Sequence, residues 1–336
     1  MTTGERVRVF ALVGRPVRGS LSPAMHNAAL TAAGIRSRYE AWDVAEDELA
    51  GIFAGAADRG LGGLNVTVPH KVAAAGLCDE LSEAAGLAGA VNTVVFGAKI
   101  TGHNTDVTAL AGIVGEWATG RGGSGGRTGF RVGILGAGGA ARAAAVAAAL
   151  AGAGEVTLAA RDAGRAVSVA GELGDLAAGA DHAGRAAGVG RPGGVGDDIF
   201  RGVAMAEMAT REEVAFDVLV QATSAPDGAL TFVPALRAGG LAIELNYRPA
   251  RTRFLLAAEA AGVETADGLE VLVRQGEEAF RLFTGREPSP GVMRRALAAA
   301  VGAPVAGATV VGATAVGAKA AGATVVGEGW GRCHDC

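Results

Sequence analysis

The sequence predicts an α/β protein in two units, the second of them a doubly wound parallel sheet. Three observations carry this. From Val7 to about Gly102, short β-like runs alternate with helical ones. A second alternation opens at Arg131. Between them, Thr119 to Gly129 is so rich in glycine that it reads as loop and as a domain boundary.

In the first unit the apolar run Val7 to Val13 reads as a strand. A helix from Pro23 to Ala33, a strand from Tyr39 to Val44, a helix from Glu46 to Arg59 and a strand from Gly63 to Val68 follow. Ser22-Pro23 is a good helix start, with serine as N-cap and proline at the first helical position. Val107 to Trp117 reads as a helix leading out of the unit. In the second unit, strands at Arg131–Leu135, Glu155–Ala160, Asp217–Gln221 and Leu241–Asn246, with a helix over Ala140–Ala151, are each bounded by Gly, Pro or Asp. Strands alternating with helices imply a parallel sheet. Between Gly171 and Arg211 the pattern dissolves into Gly, Ala, Asp and Arg, which reads as an expanded, partly mobile surface loop. Leu269 to Thr284 and Gly291 to Val301 are helical in pattern. From Gly302 to Val326 the glycine recurs every fifth residue in GAPVA, GATVV, GATAV, GAKAA and GATVV. That period matches neither strand nor helix, so residues 302–336 read as a low-complexity, disordered tail.

With 336 residues, 50% hydrophobic and only 19% charged, the chain can bury a substantial core. A net charge of −4 with scattered basic residues argues against nucleic acid as a partner and against an electrostatic membrane anchor. The first apolar run is too short for a signal peptide, so a cytoplasmic protein is expected. Cys78, Cys333 and Cys336 form no disulfide framework. Cys333-His-Asp-Cys336 lacks a second CxxC or a spaced histidine pair, so no metal site is expected. The repeat tail offers Gly, Ala and Thr in place of Leu and Ile, too little transfer energy for a membrane span.

Two stretches carry chemistry. Gly136-Ala-Gly-Gly-Ala-Ala141 follows a strand, opens a helix and fits G-x-G-x-x-A. The first glycine turns the chain, the second lets the backbone approach a pyrophosphate, and Ala141 permits close helix packing. The helix N-terminus then offers free N–H groups to phosphate. At the end of the second strand, where an NAD site places Asp or Glu, stands Ala160. Arg161 follows it and Arg165 lies one turn on, so guanidinium forks can meet a 2′-phosphate, although Asp162 opposes them. NADP is therefore expected over NAD. The other stretch, Asn65-Val-Thr-Val-Pro-His-Lys71 with Gly102-His-Asn-Thr-Asp106, sets a lysine and an aspartate among side chains suited to a polyol.

These motifs come in order with Gly14-Arg-Pro-Val-Arg-Gly-Ser20-Leu-Ser22-Pro-Ala-Met-His-Asn27, Ala90-Val-Asn92-Thr93, Ala222-Thr223-Ser224, Tyr247 within Asn-Tyr-Arg-Pro, and Ala266-Asp-Gly268 through Gln275. Over nearly all of residues 7–300 the chain resembles the shikimate dehydrogenases. The resemblance implies an N-terminal α/β substrate-binding domain (1–106) and a Rossmann-like NADP domain (107–268). It also implies C-terminal helices (269–301) that return to the first domain. The implied reaction is the reversible, NADP-linked reduction of 3-dehydroshikimate to shikimate, by a monomer or homodimer.

Residue by residue, the resemblance assigns Ser20 and Ser22 to a substrate carboxylate. Asn65, Thr67, Asn92 and Gln275 are uncharged donor–acceptor groups suited to ring hydroxyls, and Tyr247 falls near the junction with cofactor. The cofactor would lie against Gly136, Ala137, Gly138, Gly139, Ala140, Arg161, Arg165, Thr223, Leu245 and Gly268. Lys71 and Asp106 are the expected catalytic pair. An ammonium stabilises and protonates a forming alkoxide, while the carboxylate orients it. Departures from the family pattern fall mostly on the cofactor side: Ala160 and Gln221 stand where asparagines are usual, Val271 where a methionine is, and Ala225-Pro-Asp-Gly lacks the usual glycine-methionine. Quinate or amino-substituted substrates, and an idle NADP sensor, are the rival readings.

Overall fold

The computed structural model describes residues 8–120, 126–186, 197–210, 215–224 and 235–301. The repeat tail and its CxxC lie outside the described residues.

The first sheet is built from β1 (Val9–Gly14), β2 (Arg38–Asp43), β3 (Leu61–Val66), β4 (Glu80–Leu81), β5 (Thr93–Phe96) and β6 (Ile100–His103), in the order β2-β1-β3-β5-β6-β4. β1 runs parallel to β2 and β3, whereas β5 is antiparallel to β3 and β6. Its helices are α1 (Ser22–Ala32), α2 (Leu49–Ala54), α3 (Lys71–Ala75) and α4 (Glu83–Ala88). β1 and β3 are buried at every position, as central strands covered on both faces must be. Alternate residues divide accordingly. Val9, Ala11 and Val13 pack with Leu49, Ile52 and Phe53 of α2, while Phe10 and Leu12 pack with Met25 and Leu30 of α1.

α5 (Thr105–Thr119) leads to the second sheet. That sheet contains β7 (Phe130–Leu135), β8 (Ala153–Ala160), β9 (Phe200–Ala204), β10 (Phe216–Gln221), β11 (Leu236–Glu244) and β12 (Glu264–Ala266). Its helices are α6 (Gly139–Leu150), α7 (Ala163–Ala186), α8 (Met205–Thr210) and α9 (Arg253–Ala260). Every pairing is parallel and the order is β12-β11-β10-β7-β8-β9, the doubly wound arrangement expected from sequence. The winding reverses between β7 and β10, so the crevice beyond their carboxyl ends is where such sheets bind ligands. α10 (Gly268–Thr284) and α11 (Val292–Val301) then pack back on the first sheet. Phe280, Phe283 and Leu297 join Phe10 and Met25 in one cluster. A Cβ on Gly63 would lie 2.4 Å from the Phe283 ring, so this glycine lets α10 settle on β3.

Four expectations need correction. Residues 171–211 are no expanded loop where they are described: α7 continues to Ala186, and β9 and α8 follow. Alanine supports helix, and Ala166, Val169, Ala170, Leu173 and Ala177 make a buried stripe at helical spacing that interspersed glycines had masked. Gly202 permits the packing, since its Cβ would come within 2.3 Å of the Ala166 backbone. Ser22 is the first residue of α1 rather than its cap, which is Leu21. The helix foreseen from Val107 begins at Thr105, capped by Asn104 Oδ1 accepting from Val107 N at 3.2 Å. The single helix foreseen over Glu46–Arg59 is a 3₁₀ turn, Glu46–Glu48, followed by the short α2.

Candidate active site

Asp106 owes its place to that earlier helix start. It sits in the first turn of α5, where the helix dipole favours a carboxylate. Lys71 opens α3, and its backbone is held by Val91 N donating to Lys71 O at 2.8 Å. The preceding His70 is locked by a 2.8 Å contact from Nε2 to the Val44 carbonyl. The two side chains meet, Lys71 Nζ donating to Asp106 Oδ2 at 2.6 Å with 12% and 16% of the side chains exposed. The pair is sheltered yet open to a ligand.

Around it runs a network of buried polar side chains. Tyr39 donates its hydroxyl to Asn65 Oδ1 at 2.7 Å, and Asn65 Nδ2 donates to Thr93 Oγ1 at 2.9 Å. Thr105 N donates to Asn92 Oδ1 at 2.7 Å, while Asn92 Nδ2 reaches Thr105 Oγ1 at 3.0 Å. Thr105 Oγ1 lies 3.4 Å from Gln275 Oε1 on α10, joining residues far apart in the chain. Ser20 and Ser22 meet at 3.3 Å at the start of α1. Thr67 lies with its methyl over Gly14, where a Cβ would come within 2.3 Å. Tyr247 packs beside α10 on the first-sheet cluster. Sequence reasoning missed Tyr39, Thr93 and Thr105. Only Thr93 and Thr105, which lie inside the quoted motifs, carried a signal.

His26, read from sequence as a flanking residue, lies under this network. It is buried, stacked on Tyr39 with ring centroids 4.3 Å apart, and burial lowers its pKa to about 3. A base whose folded pKa is depressed stabilises the fold fully above its ordinary pKa, near 6.5, and that contribution is lost as pH falls towards about 3. Between pH 6.5 and 4.5 the native protein is therefore expected to lose about 2 kcal/mol through this group. Urea midpoints at the two pH values should show a smaller acid loss for His26→Phe; equal losses would remove His26 from the acid response.

The cofactor-side residues gather at the switch between β7 and β10. Gly136 has φ +132°, and a Cβ there would lie 3.0 Å from Ala222 O, so glycine alone fits between the two strand ends. Gly138 caps α6 with no side chain in the way, leaving its first N–H groups accessible. Arg165 Nε donates to Ala137 O at 3.2 Å and lines a cavity of about 220 Å³ with Gly138, Gly139, Arg142, Ser168 and Glu172. Arg161 is exposed, directly after β8, and is not among the residues lining this cavity. Arg142 and Glu172, not foreseen from sequence, form an ion pair at the cavity wall that holds the Glu172 carboxyl below its usual range. Thr223 N and Oγ1 donate to Gln221 Oε1 at 3.0 and 3.1 Å, and Asn246 Nδ2 donates to Thr223 O at 2.9 Å. Leu245 N donates to Gln221 O at 3.0 Å, and Gly268 lies against Asn246, its Cβ position 2.4 Å from Asn246 O. The two halves touch at one point that matters: a Cβ on Gly139 would lie 3.0 Å from the Lys71 side chain.

Fold and site thus define a two-domain α/β protein whose Rossmann-type glycine loop abuts a lysine–aspartate pair. The family model described as the shikimate dehydrogenase substrate binding domain matches residues 12–94, and that of the shikimate 5'-dehydrogenase C-terminal domain matches residues 268–298. A shikimate dehydrogenase (NADP(+)) of Citrifermentans bemidjiense is 39% identical over 315 residues, 90% of this chain and 99% of that one. The solved shikimate 5-dehydrogenase of Thermus thermophilus, in complex with NADP(H) and shikimate, superposes with a TM-score of 0.67 at 35% identity. The match covers 88% of this chain and 100% of that one. A quinate dehydrogenase from Corynebacterium glutamicum in complex with NAD gives a TM-score of 0.69 at 32% identity, covering 87% and 99%. The chain belongs to the shikimate dehydrogenase family.

Proposed function

We propose that this enzyme is an NADP-dependent shikimate dehydrogenase, interconverting 3-dehydroshikimate and shikimate. The observation that carries the reading is the 2.6 Å Lys71–Asp106 pair, set where its lysine touches the glycine loop of the nucleotide-binding sheet. NADPH, when bound, supplies the hydride. As the ketone carbon accepts it, the Lys71 ammonium stabilises the growing charge on oxygen and gives that oxygen a proton. Asp106 holds the ammonium in place and accepts from a substrate hydroxyl. Ser20 and Ser22 bind the ring carboxylate; Asn65, Thr67, Asn92 and Gln275 surround its hydroxyls; Tyr247 borders the cofactor. Residues 1–106 with α10 and α11 form the substrate domain and 107–268 the NADP domain. Among the described residues no helix is long and apolar enough to cross a membrane; a cytoplasmic monomer or homodimer fits the reading.

Initial rates with shikimate or quinate, each offered NADP or NAD, test it. Fast oxidation of shikimate with NADP is expected, and a preference for quinate with NAD would move the enzyme to the other branch of the family. Arg161 and Arg165 stand where a 2′-phosphate would meet them, and charge-assisted hydrogen bonds contribute about 1.5–3 kcal/mol. The double variant Arg161→Ala/Arg165→Ala is accordingly expected to raise KM for NADP about tenfold or more, and KM for NAD less than twofold. Equal effects on both nucleotides would take the arginines out of cofactor choice.

A further inference from the structure

Three side-chain amides in the candidate site have their orientation imposed by backbone groups that cannot exchange donor for acceptor. Asn65 Nδ2 faces the Asn92 carbonyl at 3.2 Å, so the nitrogen must point there. Thr105 N–H faces Asn92 Oδ1 at 2.7 Å, so the oxygen must. Gln275 Nε2 faces the Leu272 carbonyl at 2.9 Å. The hydroxyls follow suit: Tyr39 donates to Asn65 Oδ1 at 2.7 Å, and Thr105 Oγ1 accepts from Asn92 Nδ2 at 3.0 Å while facing Gln275 Oε1 at 3.4 Å.

The outcome is a common polarity. The amide oxygens are turned into the protein, and both hydrogens of Asn65 Nδ2 are used, on Asn92 O and Thr93 Oγ1. Asn92 and Gln275 each keep one N–H without a partner among the described residues. Lys71 adds further N–H donors; Asp106 accepts from Lys71 through Oδ2 and keeps its other oxygen for a substrate hydroxyl, so the donor polarity belongs to the Asn92 and Gln275 side of the site. We propose that this polarity makes Asn92 and Gln275 specificity-determining residues that admit a ring hydroxyl and reject an amine in its place. A hydroxyl accepts from an amide N–H and still donates its own proton; an ammonium has three donors and no acceptor, so N–H would face N–H. An unanswered buried donor is costly, and sites built around a hydrogen bond discriminate by large factors.

The inference rests on the proposed placement of Asn92 and Gln275 against substrate, and the experiment separates the two. kcat/KM with NADP is measured for shikimate and for two analogues, each with an amine replacing one of the hydroxyls that is not oxidised. Native enzyme and Asn92→Asp are compared. In the variant a carboxylate still accepts from Thr105 N and from a turned Thr105 hydroxyl, but faces the substrate as an acceptor. The native enzyme is expected to prefer shikimate over at least one analogue by about 100-fold or more, and Asn92→Asp to narrow that ratio at least about tenfold. Analogue turnover within about fivefold of shikimate in the native enzyme, or a ratio unchanged in a variant that slows all substrates alike, overturns the inference while leaving the site in place. If Asn92→Asp leaves shikimate kinetics untouched, the placement itself fails and the inference with it. Should Asn92→Asp not fold, Gln275→Glu applies the same reversal from α10 and is read by the same ratios.

Discussion

Lys71→Ala is expected to lower turnover by about two to four orders of magnitude while NADP binding changes less than about threefold. On the proposed mechanism, removing the side chain deletes both the proton donor and the positive charge facing the oxygen, and it leaves Asp106, only 16% exposed, without its partner. The lysine stem contacts Gly139, so a small change in nucleotide affinity accompanies the loss of turnover. Single-turnover reduction of 3-dehydroshikimate, with NADPH binding followed by its fluorescence, separates the two effects. Near-normal turnover would show that Lys71–Asp106 is a structural ion pair and nothing more.

Gly202→Ala is expected to destabilise the protein by about 3 kcal/mol, at the upper end of the cost of overpacking. The added methyl would sit 2.3 Å from Ala166 C and Val167 N and 2.4 Å from Ala166 O. These are backbone atoms of α7, so no rotamer change relieves the contact, and the helix must lift from β9. Urea denaturation measures the cost, and because the lifted α7 also carries Arg165 of the cofactor side, the folded fraction should show a raised KM for NADP with kcat at saturating nucleotide kept. A loss below about 1 kcal/mol would mean that α7 has slack over β9.

The same region marks where sequence reasoning stopped. β7, its glycine turn and α6 were legible because a strand period, a turn and a helix period meet within a few residues. Lys71, Asp106 and the amides were legible through ordered motifs. α7 was not, because its buried stripe is made of alanine and valine diluted by Gly164, Gly171 and Gly174, and composition alone resembles loop. β5 and β6, too short for a clear alternation, were left unread. Tyr39 and Thr105 were missed for another reason: the polarity they enforce depends on which backbone groups face them, and that is a property of packing between distant segments.

The contact between Thr105 and Gln275 spans 170 residues. Asn65, Lys71, Asn92 and Asp106 are all made by the first turn of α5, but the last amide arrives on a helix made much later. At roughly 5–20 residues per second a ribosome needs on the order of 10–30 seconds to bridge that gap. For that interval the emerging chain carries Lys71, Asp106 and Asn92 without the glutamine that faces Thr105. Completion of this network is thus timed by translation, since the Thr105–Gln275 contact can form only after α10 is made.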